Sequence, residues 1–152
     1  MSTKPVSLLA RDEKTLARDH ARLIALWEAA GLPYKLSGRD SLEAFARQQA
    51  GGQQTVLGVE AEDGELVGAV IATHDGRKGW INRLAVHPDY RRQGIGRQLI
   101  AAAEDALKAQ GMTVIAALIE PENEVSLAVF IAAGYVEWPG LHYVSKRESK
   151  DS

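Results

Sequence analysis

The sequence predicts an α/β fold in one domain: a mixed, mostly antiparallel sheet of about six to seven strands containing one parallel pair, with about four helices. Three observations carry this. Segments rich in β-branched residues follow one another across Asp63-Gly64 and Asp75-Gly76, as an antiparallel meander requires. Behind them a strand, a strongly amphipathic helix and a second strand follow in order, the pattern of a parallel crossover. Ahead of them lie two helical periodicities with stop signals.

The elements follow in chain order. Val6 to Ala10 suits a short first strand. Leu16, His20, Leu23, Trp27 and Ala30 recur at helical spacing, and Gly31 with Pro33 ends that helix. Asp40 with Glu43 three residues later resembles a capping box, opening a helix through Leu42, Phe45 and Ala46 that stops at Gly51-Gly52. Thr55 to Ala61, Leu66 to Thr73 and Trp80 to Val86 are the three meander strands. Pro88 closes the third, because proline cannot donate to a ladder. Ile95, Leu99, Ala103, Ala106 and Leu107 mark the best amphipathic helix, ended by Gly111. Thr113 to Ile119 reads as a buried strand, and a shorter helix runs from about Glu124 to Ala133 before Gly134. Tyr135 to Trp138 and Leu141 to Ser145 are expected as two last strands around Pro139-Gly140. Residues 1–147 thus form one domain, with 148–152 as a frayed tail.

Bulk properties narrow the function. The 152 residues, 45% hydrophobic and 25% charged, suit one soluble globular core. A net charge of -2 argues against a nucleic-acid surface. With no cysteine there is no disulfide, thiolate metal site or cysteine nucleophile. The four histidines lack paired ligand spacing, so no metal is expected. Met1 to Lys14 lacks a secretory apolar core, and the longest clean apolar run, Val114 to Ile119, cannot span a bilayer. A cytoplasmic protein that engages no membrane is the expectation.

The segment richest in chemistry is Arg91-Arg92-Gln93-Gly94-Ile95-Gly96-Arg97, between a strand and the best helix. Two glycines let backbone approach a ligand closely, and the free amides of a helix start favour an anion. Arg91, Arg92 and Arg97 add charge suited to phosphate oxygens, so the stretch describes a pyrophosphate cradle. A P-loop is excluded because Gly96 is followed by Arg97-Gln98. A dinucleotide fingerprint is excluded because Leu99 stands where its third glycine belongs. The plain alternative is a solvated arginine cluster at a glycine-kinked helix start.

With its flanks included, the stretch Leu84-Ala85-Val86-His87-Pro88-Asp89-Tyr90-Arg91-Arg92-Gln93-Gly94-Ile95-Gly96 closely resembles the acetyl-CoA motif of the GNAT N-acetyltransferases, notably their single-domain bacterial members. Asn123, a short helix and Gly134-Tyr135 resemble the family's next motif at the expected separation. The resemblance implies a GNAT fold whose parallel pair splays apart to admit the cofactor. It implies transfer of acetyl from acetyl-CoA, a co-substrate, to a primary amine. Leu84, Ala85 and Val86 would pair with the pantetheine arm, and Arg91, Arg92, Gln93, Gly94, Ile95, Gly96 and Arg97 would hold the pyrophosphate. Asn123 would touch the cofactor or merely cap its helix.

Two positions depart from the family pattern. Phe130 stands where a tyrosine often faces the leaving sulfur; it can pack against the cofactor but cannot donate a proton. Asn82 replaces a frequent glutamate. Glu120 and Tyr143 are the substitute catalytic candidates, each weighed against an ordinary solvated or half-buried role. Trp27, Tyr34, Trp80 and Trp138 serve either an acceptor pocket or the core. The rival reading is a non-catalytic acyl-CoA-binding or sensing module, and a third is a binder of nucleotide phosphates. A homodimer is compatible with all of them.

Overall fold

Two aspartate-glycine turns set the frame of the molecule, whose computed structural model describes residues 6–8, 13–150 and 152. Strands β2 (Gln54–Glu60) and β3 (Leu66–His74) pair antiparallel across Asp63-Gly64. There the Asp63 carboxylate accepts from Glu65 N at 2.9 Å, and Gly64 takes a φ of 87°. Strand β4 (Gly79–Val86) follows Asp75-Gly76 and pairs antiparallel with β3. Asp75 Oδ1 accepts from Arg77 N and Lys78 N at 2.8 and 2.9 Å. Those two backbone donors, that of Lys78 foremost, hold the Asp75 carboxyl below its ordinary pKa.

β1 (Val6–Leu8) pairs antiparallel with β2, and β5 (Ile115–Ala116) pairs parallel with β4. Among the described residues the sheet is five strands in sequence order. The expected continuation of the first strand to Ala10 lies outside the described residues.

Among the described residues four α-helices cover the sheet as two layers. On one face α1 (Glu13–Ala30) and α2 (Leu42–Ala50) bury Leu23, Leu26, Trp27 and Phe45 against Val56, Ile71 and Ala85. On the other, α3 (Ile95–Ala109) places Ile95, Leu99, Ala103 and Leu107 against Val67, Val70 and Ile81. Phe130 of α4 (Glu124–Ala132) completes that second core. Among the described residues no helix is long and apolar enough to cross a membrane.

Three expectations are corrected. The cap of α2 is Ser41, not Asp40: Ser41 Oγ accepts from Ala44 N at 3.0 Å. The Asp40 carboxylate is engaged instead with Lys35 N, at 2.8 Å. Next, the strand expected over Thr113 to Ile119 shrinks to Ile115–Ala116, since β4 and β5 pair only at Gly79↔Ile115 and Trp80↔Ala116. Finally, among the described residues the sheet has five strands rather than six to seven, because 135–145 join no ladder. A strand needs a neighbouring edge, and β5 offers one only two residues long.

Candidate active site

A β-bulge builds the site. Asn82 pairs with Ile71 and Ala85 with Ala69, so Arg83 and Leu84 together oppose Val70 alone. The extra residue is Arg83, in the left-handed region at φ 56°. It resets the alternation of side chains along β4. Ala85 packs on the α1–α2 face, while Leu84 and Val86 pack on the α3–α4 face. Beyond the bulge β4 also has no partner in β5, and its end borders a cavity.

That cavity has a volume of about 440 Å³, and Leu84, Ala85 and Val86 form one wall. His87 then turns the chain: its Nδ1 accepts from Asp89 N at 3.1 Å, opening a 3-10 turn at Pro88–Tyr90. Tyr90, Arg91, Arg92, Gly94, Ile95, Gly96 and Arg97 continue the wall into α3. Arg92 and Gly94 both lie at positive φ, 66° and 79°. Gly94 is the N-cap of α3 and supplies no side-chain cap, so the first-turn amides have no side-chain acceptor there. Gly96 brings α3 against α4: a Cβ there would sit 3.4 Å from Val129 Cγ1. Arg91 Nε donates to Val86 O at 3.3 Å, folding that arginine back over the end of β4.

The opposite wall is the start of α4, with Asn123, Val125, Ser126 and Val129. Asn123 Oδ1 accepts from Ser126 N at 3.2 Å, so this residue caps α4 and lines the cavity at once. Two helix N-termini therefore meet one cavity, and its charged wall residues are the arginines 91, 92 and 97. The partial charges of both helix ends favour an anion there.

The structure thus brings together Leu84, Ala85, Val86, Arg91, Arg92, Gly94, Ile95, Gly96, Arg97 and Asn123. Gln93 lies in the same turn but off the wall. Phe130 also lies off it: the ring is buried in the α3–α4 core and meets Tyr135 edge-on at 5.0 Å. Glu120 is exposed in the loop after β5, and Tyr143 is 68% exposed in the C-terminal segment; neither reaches the cavity. Among the described residues no cluster of metal-ligating side chains appears. Sequence reasoning missed Ala30 of α1 and Leu32 just beyond it, Tyr90 of the 3-10 turn, and Val125, Ser126 and Val129 of α4. The first two carry no local signal, because only the fold brings α1 to β4. Ser126 and Val129 stand three and six residues after Asn123, and helical spacing from that residue could have found them.

The cavity thus lies between the end of β4, which has no partner in β5, and two helix N-termini. The chain belongs to the acetyltransferase (GNAT) family, whose sequence pattern matches residues 20–135. It is an acetyltransferase by that membership. The acetyltransferase SG1711 of Sodalis glossinidius (strain morsitans) is 28% identical over 133 residues, 88% of this chain and 92% of that protein. Among solved structures, the aminoglycoside acetyltransferase meta-AAC0020 from an uncultured soil metagenomic sample, in complex with trehalose, superposes with a TM-score of 0.79. It is 22% identical, over 96% of this chain and 97% of that one. AAC(6')-Iy, in complex with the bisubstrate analogue CoA-S-monomethyl-acetylneamine, gives 0.73 at 21% identity, covering 97% and 99%. At these identities the structural matches establish the fold.

Proposed function

We propose that the cavity binds acetyl-CoA and that the enzyme transfers its acetyl group to a primary amine. The observation that carries this is the convergence of the α3 and α4 N-termini, three arginines and the unpaired stretch of β4 on one cavity. In this reading Arg92, Arg97 and the amides after Gly94 hold the pyrophosphate, with Arg91 and Gln93 completing the turn. Backbone groups of Leu84 to Val86, which make no ladder with β5, take the pantetheine amides. Asn123 orders the start of α4 beside that arm.

The thioester supplies the acetyl group: a C–N bond forms as the C–S bond breaks, the electron pair leaves on sulfur, and the ammonium proton is lost. An alkylamine must be deprotonated to react, since its conjugate acid titrates near ~10. Backbone N–H groups of β4 past the bulge are the donors suited to the oxyanion. Solved relatives of this fold that act on aminoglycosides make an aminoglycoside amine the first acceptor to try.

The reading predicts CoA release from acetyl-CoA in the presence of one or more members of an amine panel that includes sisomicin, lysine peptides and polyamines. A second reading, a non-catalytic acyl-CoA sensor, is favoured by one observation: Glu120 and Tyr143 both lie off the cavity wall, which carries no carboxylate. Tight acetyl-CoA binding with no CoA release above the background rate across the panel would establish the sensor and exclude the transferase.

A further inference from the structure

We infer that Arg83 is a positioning residue: its clamp on Asp40 and Trp27 holds the β4 bulge, and thereby the cofactor-facing register of Leu84 to Val86. This rests on the acetyl-CoA reading above. The bulge is an arrangement that its own residue resists, because an L side chain at φ 56° is strained. Something must hold it there.

The side chain of Arg83 does so from the α1–α2 side. Its guanidinium carbon stands 4.2 Å over the Trp27 ring, and Nη2 lies 3.4 Å from Asp40 Oδ2. Asp40 is 5% exposed and Trp27 is wholly buried, so the clamp is anchored in rigid surroundings. Asp40 also accepts from Lys35 N and sends its own N–H to Lys35 O, at 2.8 and 3.0 Å. The loop leaving α1 is thereby closed on the same carboxylate. Ala30 and Leu32, one turn beyond Trp27, line the cavity, as do Leu84 to Val86, so the clamp ties these two lining segments together.

The charge also selects the register. Ile81 faces the α3–α4 core, and in an unbulged strand residue 83 would face it too. That register would press a guanidinium among Val70, Leu99 and Ile81 with no counter-charge. The extra residue turns Arg83 to the opposite face and brings Leu84 and Val86 round to the cavity. Burial holds the Arg83 guanidinium below its ordinary pKa, with the Asp40 charge opposing, as for a cation kept in place by one partner. Among the described residues its Nε is buried without a hydrogen-bond acceptor, so orientation of this side chain falls to the stack and the ion pair.

The test separates side chain from backbone. Arg83→Ala removes the clamp and keeps the strain, Arg83→Gly removes both, and Asp40→Asn leaves the guanidinium without its counter-charge. Acetyl-CoA affinity by isothermal titration and the melting temperature are measured for each. Arg83→Ala is expected to weaken acetyl-CoA by about ten-fold, the equivalent of one left-handed residue's strain. Arg83→Gly recovers most of that affinity, and Asp40→Asn falls between wild type and Arg83→Ala. Wild-type affinity in all three, with only the melting temperature lowered, would reduce Arg83 to a structural residue and overturn the inference. Equal losses for Ala and Gly would overturn it too, because the bulge backbone would then not matter. If wild type itself does not bind acetyl-CoA, the cofactor reading falls first and this one with it.

Discussion

Arg91 and Arg92 stand one residue apart yet serve the turn differently. Arg91 is folded onto Val86 O, whereas Arg92 holds a left-handed backbone at φ 66° on the cavity wall. Arg92→Ala is expected to weaken CoA more than pantetheine, with an effect that shrinks at high salt, as exposed phosphate contacts do. Arg91→Ala should cost less in affinity. Titrations of both variants with both ligands at low and high ionic strength check this. Phe130 shows where residue-level reasoning from a motif stops. Its position in the family pattern suggests the leaving sulfur, but the ring is 4% exposed and packs edge-on against Tyr135. Phe130→Tyr therefore puts a hydroxyl into an apolar core. It should lower stability by about 1–3 kcal/mol, read by urea unfolding, with no gain in turnover. The glycine turn was legible because its chemistry is local. Arg83 was not, since nothing in the residues around it announces a bulge or names Asp40, 43 positions away, as partner.

At the scale of elements, the meander and all four helices were legible, because turn dipeptides and apolar spacing are local signals. The last two strands were not: pairing depends on an edge elsewhere in the chain, and β5 is too short to offer one. The segment that resembles them is instead exposed, Leu141 at 79% and Val144 at 86%. Leu141→Gln and Val144→Ser are accordingly expected to change stability by less than about 0.5 kcal/mol in urea unfolding, whereas covered strand positions would lose several times that. One tie of this end of the chain is Tyr135, whose hydroxyl donates to Glu104 Oε2 at 2.8 Å, joining the segment after α4 to α3. Burial first, and the Glu104 contact second, raise the Tyr135 pKa above its ordinary value of 10.0. Because the fold favours the neutral phenol, this contribution is complete below pH 10 and is lost as pH rises beyond it. The melting temperature of wild type should thus fall more steeply above pH 10 than that of Tyr135→Phe. Parallel slopes would show that the fold does not raise the Tyr135 pKa.

Over the whole molecule, two cores share one sheet and do different work. The α1–α2 side holds the strained backbone of β4 from behind through Trp27, Asp40 and Arg83. The α3–α4 side presents two helix starts to the cavity beside that strand. The glycine turn made the second half of this arrangement readable, because a helix start rich in glycine and arginine is a local sequence mark. The first half joins residues 27, 40 and 83, and only the folded sheet brings them together. The central claim, that acetyl-CoA occupies this cavity with its pyrophosphate on the turn, is tested most directly by titrating acetyl-CoA into wild type and the double variant Gly94→Val, Gly96→Val. Gly94 needs its left-handed backbone, and a side chain at Gly96 meets Val129 at the cavity wall, so the variant spoils the cradle where α3 begins. Saturable binding by wild type, lost in a variant whose circular dichroism still shows the native fold, is the result this account predicts. Equal affinity in the two proteins would contradict it.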